Sequence, residues 1–268
     1  MTGRVFLALG FALFIGTGNA APSIILQSTT STQNSGLYDY LLPKFRQDAG
    51  IAVNVVAVGT GQAIKNAQNC DGDVLLVHAR SAEEAFIAAG YGVERFDVMY
   101  NDFVIVGPPA DPAGIRGLGN AVEGLGRISA SGSIFLSRGD NSGTHKKELA
   151  LWLQAGVKPE EVSGQWYRET GSGMGATLNV AVEMNGYTLT DRGTWISFGN
   201  KKDFQVLLEG DSQLFNQYGV MMVNPKRCNR VDAEAAQTFI DWLLSPRGQQ
   251  AIAAYQLLGQ PLFVPNAK

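Results

Sequence analysis

The strongest constraint on the fold is a unit that occurs twice near the N-terminus: an apolar strand, a polar loop and a helix. Residues 24–26 predict a buried strand that leads into the hydroxyl-rich run 28–32, and a helix follows at about 35–46, capped by Asn34 or Ser35. A second strand then ends in a Gly-Thr-Gly loop before another helix. The loops of such units meet at the carboxyl edge of an open parallel α/β sheet, where ligands bind.

A polar run further along the chain, Arg-Gly-Asp-Asn-Ser-Gly-Thr, begins at Arg138 and precedes a helical pattern with apolar residues spaced by three and four. The start of a helix leaves backbone N–H groups unpaired, and here they adjoin the hydroxyls of Ser142 and Thr144 and a guanidinium. These groups, with the positive end of the helix dipole, favour an anion with several oxygens. Ser-Gly-Thr alone is more often only a cap. Together with the two N-terminal loops, it predicts a site for a small oxyanion.

Composition and charge restrict the class of protein and its partners. A chain of 268 residues, 45% hydrophobic and 17% charged, suits a globular protein with one large core or two smaller ones. Its net charge of −3 argues against nucleic acid and anionic membrane surfaces as partners. Residues 1–20 combine Arg4, an apolar stretch and a small-residue cleavage site, which is typical of a secretory signal peptide. No cysteine directly follows that site, so we expect an exported protein with neither a lipid anchor nor membrane insertion.

Cysteine and histidine are scarce. Cys70 and Cys228 lie in polar, loop-like surroundings, and in an oxidising compartment such a pair permits one disulfide, which the sequence alone does not decide. The two histidines, His78 and His145, have no ligand partners at a spacing known for metal sites. We therefore expect no metal and no cofactor.

Seven segments occur along the chain in an order that is specific as a set: 28–31, 58–63, 73–78, 92–107, 137–148, 173–178 and 187–192. They resemble the tungstate-binding components of ABC uptake systems, which are two-lobed periplasmic substrate-binding proteins of type II. The resemblance covers nearly all of the chain from Ile25 onward. It departs at Ser28, where that family usually has threonine, and the exchange keeps a hydroxyl donor. The run that begins at Arg138 is shared with phosphate-binding relatives, so it supports oxyanion binding more strongly than tungstate.

The resemblance implies an α/β fold with two lobes, joined by crossing hinge strands, and a ligand clamped between them. The chain is expected to cross near 103–106, with lobe one at 22–104 plus 220–268 and lobe two at 105–219. Within lobe two, the repeated glycines of 111–128 suggest a surface excursion. The resemblance also implies a periplasmic monomer that delivers its ligand to the permease and ATPase subunits of an ABC importer.

The resemblance and the helix-start argument together assign the ligand contacts. Arg138 is the charge partner, although a salt bridge with Asp140 or Asp191 is an alternative role. Asp73 either orients loop hydroxyls or is a solvated carboxylate at a strand edge, and His145 is expected to be a neighbour of the ligand. The predicted binding residues are Thr29, Thr30 and Thr60 from lobe one, and Arg138, Ser142, Gly143, Thr144, Met174 and Gly175 from lobe two.

Other functions remain open at this level. The same cleft suits molybdate or phosphate, and an exported anion sensor would share every feature described so far. An exported hydrolase is a weaker alternative, because the chain has no Gly-x-Ser-x-Gly elbow and its histidines have no paired metal carboxylates. We therefore expect a binding protein for tungstate or a related oxyanion, and not an enzyme.

Overall fold

The computed structural model describes residues 22–268, and the signal peptide predicted for residues 1–20 lies outside the described residues. The first elements are β1 (Ser23–Thr29), α1 (Thr30–Asn34), α2 (Leu37–Ala49), β2 (Ala52–Val58), α3 (Thr60–Gln68), β3 (Val74–Val77), α4 (Arg80–Ala88) and β4 (Gly92–Gly107). The middle of the chain forms α5 (Ala121–Ser131), β5 (Phe135–Ser137), α6 (Gly143–Gln154), β6 (Tyr167–Glu169), α7 (Met174–Met184), β7 (Tyr187–Asp191), α8 (Arg192–Ser197) and β8 (Gln205–Leu208). The last elements are β9 (Phe215–Val223), α9 (Ala233–Leu244), α10 (Pro246–Ala254), β10 (Gln256–Leu257), β11 (Gln260–Pro261) and β12 (Val264–Pro265). None of the helices in this part of the chain is long and apolar enough to cross a membrane.

The two strand–loop–helix units near the N-terminus are confirmed, with one correction at the first helix. The hydroxyl-rich run folds into α1 instead of remaining a loop, and Thr29 caps it by accepting the N–H of Thr32 at 3.4 Å. The longer helix α2 begins at Leu37, after Gly36 in a left-handed conformation with φ 80°. The polar cap predicted one or two residues earlier is therefore wrong, because the turn between the two helices needs a residue that tolerates positive φ.

One mixed sheet runs through both lobes in the order β2-β1-β3-β9-β4-β7-β5-β6, with β8 and β12 also paired to β4. β1 is parallel to β2 and β3, and β5 is parallel to β6 and β7, whereas β4 and β9 run antiparallel to their neighbours. The long strand β4 pairs with β9 as far as Asp102 and with β7 from Phe103 onward. The two-lobed α/β architecture with crossing strands is therefore confirmed. The residue limits given for the lobes stay a prediction.

Each lobe has its own hydrophobic core. In the first, Phe45 of α2 packs edge-on against Phe239 of α9, with ring centroids 4.9 Å apart. In the second, Trp152 of α6 is completely buried among aromatic and aliphatic side chains. Two adjacent residues of the short helix α8 pack into different lobes: Trp195 into the second and Ile196 into the first. This helix therefore belongs to both lobes.

The prediction of a surface excursion over residues 111–128 is wrong for the last part of that stretch. Residues from Ala121 onward form α5, which is capped by the side chain of Asn120 and buries Leu125 and Ile128 in the second lobe. The apolar positions of this segment recur at helical spacing, and their burial decides the conformation despite the intervening glycines.

The amino edge of the first-lobe sheet is held by covalent and hydrogen bonds. Cys70 and Cys228 form a disulfide with Cα atoms 5.3 Å apart, which joins positions 158 residues apart in sequence. Asp73 precedes β3 and accepts the N–H groups of Ile25 at 2.6 Å and Asp232 at 2.9 Å. Asp73 is therefore a buried structural carboxylate. Both roles suggested for it by the sequence are wrong, because it lies at the edge of β3 opposite to the loops at the carboxyl ends of the strands.

Candidate functional site

The carboxyl ends of three parallel strands bring the predicted first-lobe residues together. Thr29 at the end of β1 pairs with Val58 at the end of β2, so α1 and α3 begin side by side. His78 follows β3, and its Nε2 atom lies 3.4 Å from Thr29 Oγ1 and 3.3 Å from Ser31 Oγ. Thr60 is the first residue of α3. We call Thr29 to Ser31, Thr60 and His78 the first-lobe edge.

The second lobe repeats this arrangement with β5 and β6. These parallel strands end in register, and Arg138 O accepts the N–H of Ser172 at 3.2 Å. The two loops that follow the strands therefore run side by side into the first turns of α6 and α7. We call residues 138–144 and 170–175 the second-lobe edge.

Both edges border the point at which the chain crosses between the lobes. β7 ends at Asp191, which pairs with Phe103 where β4 enters the second lobe. On the other side, His78 Nδ1 lies 3.1 Å from Asn216 Oδ1 at the start of β9. Asn216 pairs with Asn101, which lies on β4 just before that entry. The strand registers therefore place the two edges on either side of the hinge, where a cleft between lobes must lie.

Two helices at these edges start without a side-chain cap. Within residues 22–268, no side chain caps α3 or α7, whose N-cap residues are Gly59 and Gly173. The first amides of α3, at Thr60, and of α7, at Met174 and Gly175, have no acceptor within their own helices. Such N–H groups, at the positive end of a helix dipole, are suited to an anion.

The start of α6 is capped in part. Ser142 Oγ accepts the N–H of His145 at 3.3 Å, which leaves the amides of Gly143 and Thr144 without a helical acceptor. Thr144 is buried and Gly143 is exposed. The run that the sequence singled out therefore supplies two more N–H donors at the second-lobe edge.

Arg138 forms the salt bridge with Asp140 that the sequence offered as its alternative role. Nε and Nη2 of Arg138 donate to Asp140 Oδ2 at 3.1 Å and 2.5 Å, and Ser142 N donates to Asp140 Oδ1 at 3.2 Å. Burial works against ionisation of Asp140, but the bonds from Ser142 and Arg138 hold the pKa of this carboxyl below its ordinary value. The guanidinium has five N–H donors, so the salt bridge leaves several for a ligand.

The two threonines at the start of α1 differ in availability. The buried hydroxyl of Thr29 is engaged inside the helix, 2.7 Å from Thr32 Oγ1 and 3.1 Å from Ser31 Oγ. Thr30 is exposed. In this conformation, the hydroxyl of Thr30 is the better placed of the two to meet a ligand.

The predicted residues thus fall into two groups, one at each edge. No hydrogen bond or ion pair within the described residues joins the first-lobe group to the second-lobe group directly. Sequence reasoning assigned no role to His78 or Ser31, although both lie at the first-lobe edge. The available signal was that His78 directly follows an apolar strand.

His145 is a neighbour of the second-lobe edge, in the first turn of α6. Its Nδ1 accepts the N–H of Asn141 at 3.0 Å, so the proton of a neutral ring must be on Nε2. Nε2 is buried and has no hydrogen-bond partner among the residues that the structure describes. Within residues 22–268, no group of three or more His, Cys, Asp or Glu side chains is arranged to hold a metal ion.

Comparison with protein families and known structures agrees with this architecture. A family model described as the PBP superfamily domain matches residues 16–247. The chain belongs to the PBP superfamily. Among solved structures, the chain is similar to the tungstate-binding protein TupA from Desulfovibrio alaskensis G20, with 49% sequence identity and a TM-score of 0.89. That match covers 92% of this chain and 100% of the other.

Two curated relatives match over similar lengths. The tungstate-binding protein TupA of Peptoclostridium acidaminophilum is 51% identical over 252 residues, which are 92% of this chain and 87% of that protein. The tungstate-binding protein TupA of Campylobacter jejuni is 42% identical over 242 residues, 89% of each chain. All three relatives are named as binding proteins.

Proposed function

We propose that this chain is an extracytoplasmic binding protein that captures tungstate and delivers it to an ABC importer. The names and the sequence identity of the three relatives support this proposal. The observation that carries it is the placement of anion donors on both sides of the hinge. Arg138 and the first amides of α6 and α7 lie at one edge, and the first amides of α3 and the exposed hydroxyl of Thr30 lie at the other.

An anion held by both edges explains how binding closes the cleft. The ligand makes more contacts when the lobes approach each other, and this difference in contacts shifts the equilibrium toward the closed state. A charge-assisted hydrogen bond contributes roughly 1.5–3 kcal/mol. About six such bonds offset closure and desolvation and leave an affinity near nanomolar, about −12 kcal/mol.

The chemistry of the donor set favours a fully deprotonated oxyanion. Tungstate and molybdate need only donors around them, whereas phosphate retains a proton near neutral pH and also needs an acceptor. The carboxylate of Asp140 already accepts from Arg138 and Ser142, which reduces its capacity for a protonated ligand. Tungstate is preferred over molybdate on the names of the relatives, and molybdate is expected to bind as well.

Export, partners and the absence of catalysis are part of the proposal. The predicted signal peptide supports release into the periplasm, and the resemblance to tungstate-binding components of ABC uptake systems supports docking with permease and ATPase subunits. We propose that the protein acts as a monomer, carries no cofactor and is not an enzyme. A sensor that presents its closed form to a receptor is the alternative with the same ligand chemistry.

One polar row favours an exported hydrolase as a second candidate. The distance from Ser31 Oγ to His78 Nε2 is 3.3 Å, and the distance from His78 Nδ1 to Asn216 Oδ1 is 3.1 Å. The three side chains therefore follow the order of a nucleophile, a base and an orienting group. The 3.3 Å contact is long for such a pair, and Nε2 is shared with Thr29. Release of product from ester and phosphate-ester substrates, abolished by Ser31→Ala, would favour this reading over ligand binding.

Calorimetric titration of residues 21–268, stripped of ligand, tests the proposal. Tungstate, molybdate, sulfate and phosphate are titrated separately in one buffer. The proposal predicts tight binding of tungstate, binding of molybdate, and far weaker binding of sulfate and phosphate. Absence of heat with all four anions, confirmed by an unchanged melting temperature, would reject it.

A further inference from the structure

A continuous row of polar contacts connects the crossing strands to the first-lobe edge. On β4 and β9, Asn216 Nδ2 donates to Asn101 Oδ1 at 2.9 Å. Asn216 Oδ1 lies 3.1 Å from His78 Nδ1, and His78 Nε2 faces the hydroxyls of Ser31 and Thr29 at 3.3 Å and 3.4 Å. His78 therefore lies between the hinge and two hydroxyls at the site proposed for the anion.

The direction of each hydrogen bond follows from the first one. In the arrangement of the structure, Asn216 donates through Nδ2 and its oxygen faces His78, so Nδ1 of His78 carries a proton. In the neutral ring, Nε2 is then an acceptor, and it takes a hydroxyl hydrogen from Ser31 or Thr29. That hydrogen is not available to an anion. In the charged ring, Nε2 donates to the hydroxyl oxygens instead, which frees the hydrogen of the exposed Ser31 hydroxyl.

The surroundings of His78 keep the ring neutral before ligand binds. Burial lowers the pKa of His78 below its ordinary value, against smaller raising effects of the Asn216 hydrogen bond and the Asp191 carboxylate. Among the described residues, two titratable groups act on the ring: Asp191 at the end of β7, through its charge, and Tyr218 of β9, through contact. The ring of Tyr218 lies 4.8 Å away between centroids, and burial raises the pKa of Tyr218, so it stays neutral.

We propose that His78 is a positioning residue for the anion site, and that its ring takes up a proton when the oxyanion binds. The inference rests on the proposed function. A dianion at the first-lobe edge favours the charged ring by attraction, and the charged ring leaves the hydroxyl hydrogen of the exposed Ser31 free to turn toward the anion. Both effects act in the same direction, so neither the anion nor the proton binds independently of the other.

The sign of the pH dependence follows from this coupling. Anion binding raises the pKa of His78 from its lowered value in the free protein, so affinity is greatest at low pH and decreases as pH rises through the value in the complex. The Kd for tungstate therefore rises by at most about tenfold per pH unit in that window. Around neutral pH, each binding event takes up as much as one proton.

Calorimetry in buffers with different ionisation enthalpies measures this proton directly. Tungstate is titrated into the ligand-free protein from about pH 5.5 to about pH 8.5, a range that extends on both sides of the ordinary pKa of histidine. Wild type should show net proton uptake, seen as a binding enthalpy that depends on the buffer. His78→Gln should abolish the uptake and flatten the pH profile. The matched control His145→Gln, which removes the other histidine of the chain, should retain the uptake.

A second variant keeps the test valid if His78→Gln unfolds the protein. Asn216→Asp places a carboxylate against Nδ1–H of His78, so the ring of His78 should already be protonated before the anion binds. The proton uptake of this variant at neutral pH should therefore be smaller than that of wild type. Tight tungstate binding without proton uptake, or uptake that persists in His78→Gln, would overturn the inference and leave the proposed function standing. If no anion binds to wild type, the proposed function fails and the inference fails with it.

Discussion

The guanidinium of Arg138 donates through both Nε and Nη2 to one oxygen of Asp140, two residues further along the same loop. The other oxygen of Asp140 accepts the amide of Ser142, so one carboxylate fixes both the cation and the start of α6. An anion binding beside Arg138 therefore meets a cation that is already oriented. Preorganisation of this kind lowers the entropy lost on binding.

Arg138→Ala should weaken tungstate binding by at least about a hundredfold, because it removes a charge and several donors, each worth roughly 1.5–3 kcal/mol. Arg138→Lys should recover little of this, since a lysine ammonium lacks the planar fork of donors. Calorimetric Kd values give the comparison. Arg127→Ala is the control, because Arg127 forms an exposed ion pair with Glu123 on α5. Unchanged affinity in Arg138→Ala would remove this residue from the site.

Thr30→Val and Thr29→Val should separate ligand contact from helix capping. Thr30 is exposed, so Thr30→Val should weaken tungstate binding and leave the melting temperature of the ligand-free protein unchanged. Thr29→Val removes the cap of α1 and should destabilise the ligand-free protein by about 1 kcal/mol. Thermal unfolding without ligand, followed by titration, distinguishes the two. An equal loss of melting temperature in Thr30→Val would mark that residue as structural.

Gly143→Pro tests whether a backbone amide of α6 binds the anion. Gly143 is the first helical residue, where proline fits, and Ser142 has the extended conformation (φ −69°, ψ 172°) that a following proline requires. The loss of one charge-assisted N–H bond should raise the Kd for tungstate by about tenfold or more.

Gly143→Ala is the matched control for that proline, because it keeps the N–H. An added Cβ at Gly143 would meet no atom of the described residues within 4 Å. Its Kd should stay within about threefold of wild type, a change of roughly 0.7 kcal/mol. An equal loss of tungstate affinity in both variants would mean that any side chain at this position weakens binding, and that the amide is not the cause.

Asp102→Asn should destabilise the hinge. Asp102 accepts Nε and Nη2 of Arg192, each at 2.6 Å, and this carboxylate lies where β4 enters the second lobe. Both side chains are largely buried, so removing the charge should cost about 2 kcal/mol of unfolding free energy. Urea unfolding of the ligand-free protein measures it. Glu161→Gln, which removes an exposed partner of Lys158, should change stability by less than about 1 kcal/mol.

Glu148 makes the stability of the ligand-free protein depend on pH. It is buried in the second lobe, where Tyr167 and Trp152 donate to its Oε1 at 2.8 Å and 3.2 Å. Burial raises its pKa to about 7, although the Tyr167 hydrogen bond acts in the opposite direction. Between its ordinary value and about 7, the folded state holds a proton that the unfolded state has released.

Unfolding free energy should therefore decrease as pH rises through this window, by up to about 3 kcal/mol. Glu148→Gln should flatten the profile, whereas Glu123→Gln, on an exposed face of α5, should leave it as in wild type. Chemical unfolding at a series of pH values gives the profiles. A wild-type profile that rises with pH and coincides with that of Glu148→Gln would contradict the assignment.

The strand–loop–helix units and the start of α6 could be predicted because their determinants are local. Apolar spacing indicates the elements, and the hydroxyl and glycine residues beside them indicate the helix starts. The role of Thr29 could not be predicted in the same way, since it depends on whether the following residues form α1. The disulfide between Cys70 and Cys228 depends on a contact across 158 residues of sequence, which no local pattern encodes.

The positions of His78 and Asp73 show that the role of a polar residue depends on which edge of the sheet it occupies. Both are polar and both flank β3, with the four residues of the strand between them. One lies at the carboxyl end beside Thr29 and Ser31, and the other lies at the amino end and holds the backbone of β1. The strand's direction relative to β1 separates the two roles, and that direction follows from pairing between segments distant in sequence.

The most direct test of the account is the position of tungsten in crystals grown with tungstate. Anomalous scattering from the metal of the anion locates it without assumptions about the ligand contacts. We predict one strong peak between the lobes, where the oxygens of the oxyanion are within hydrogen-bond reach of Arg138 and the first amides of α3 and α6. A peak outside this cleft, or no peak in crystals of protein shown to bind tungstate, would contradict it.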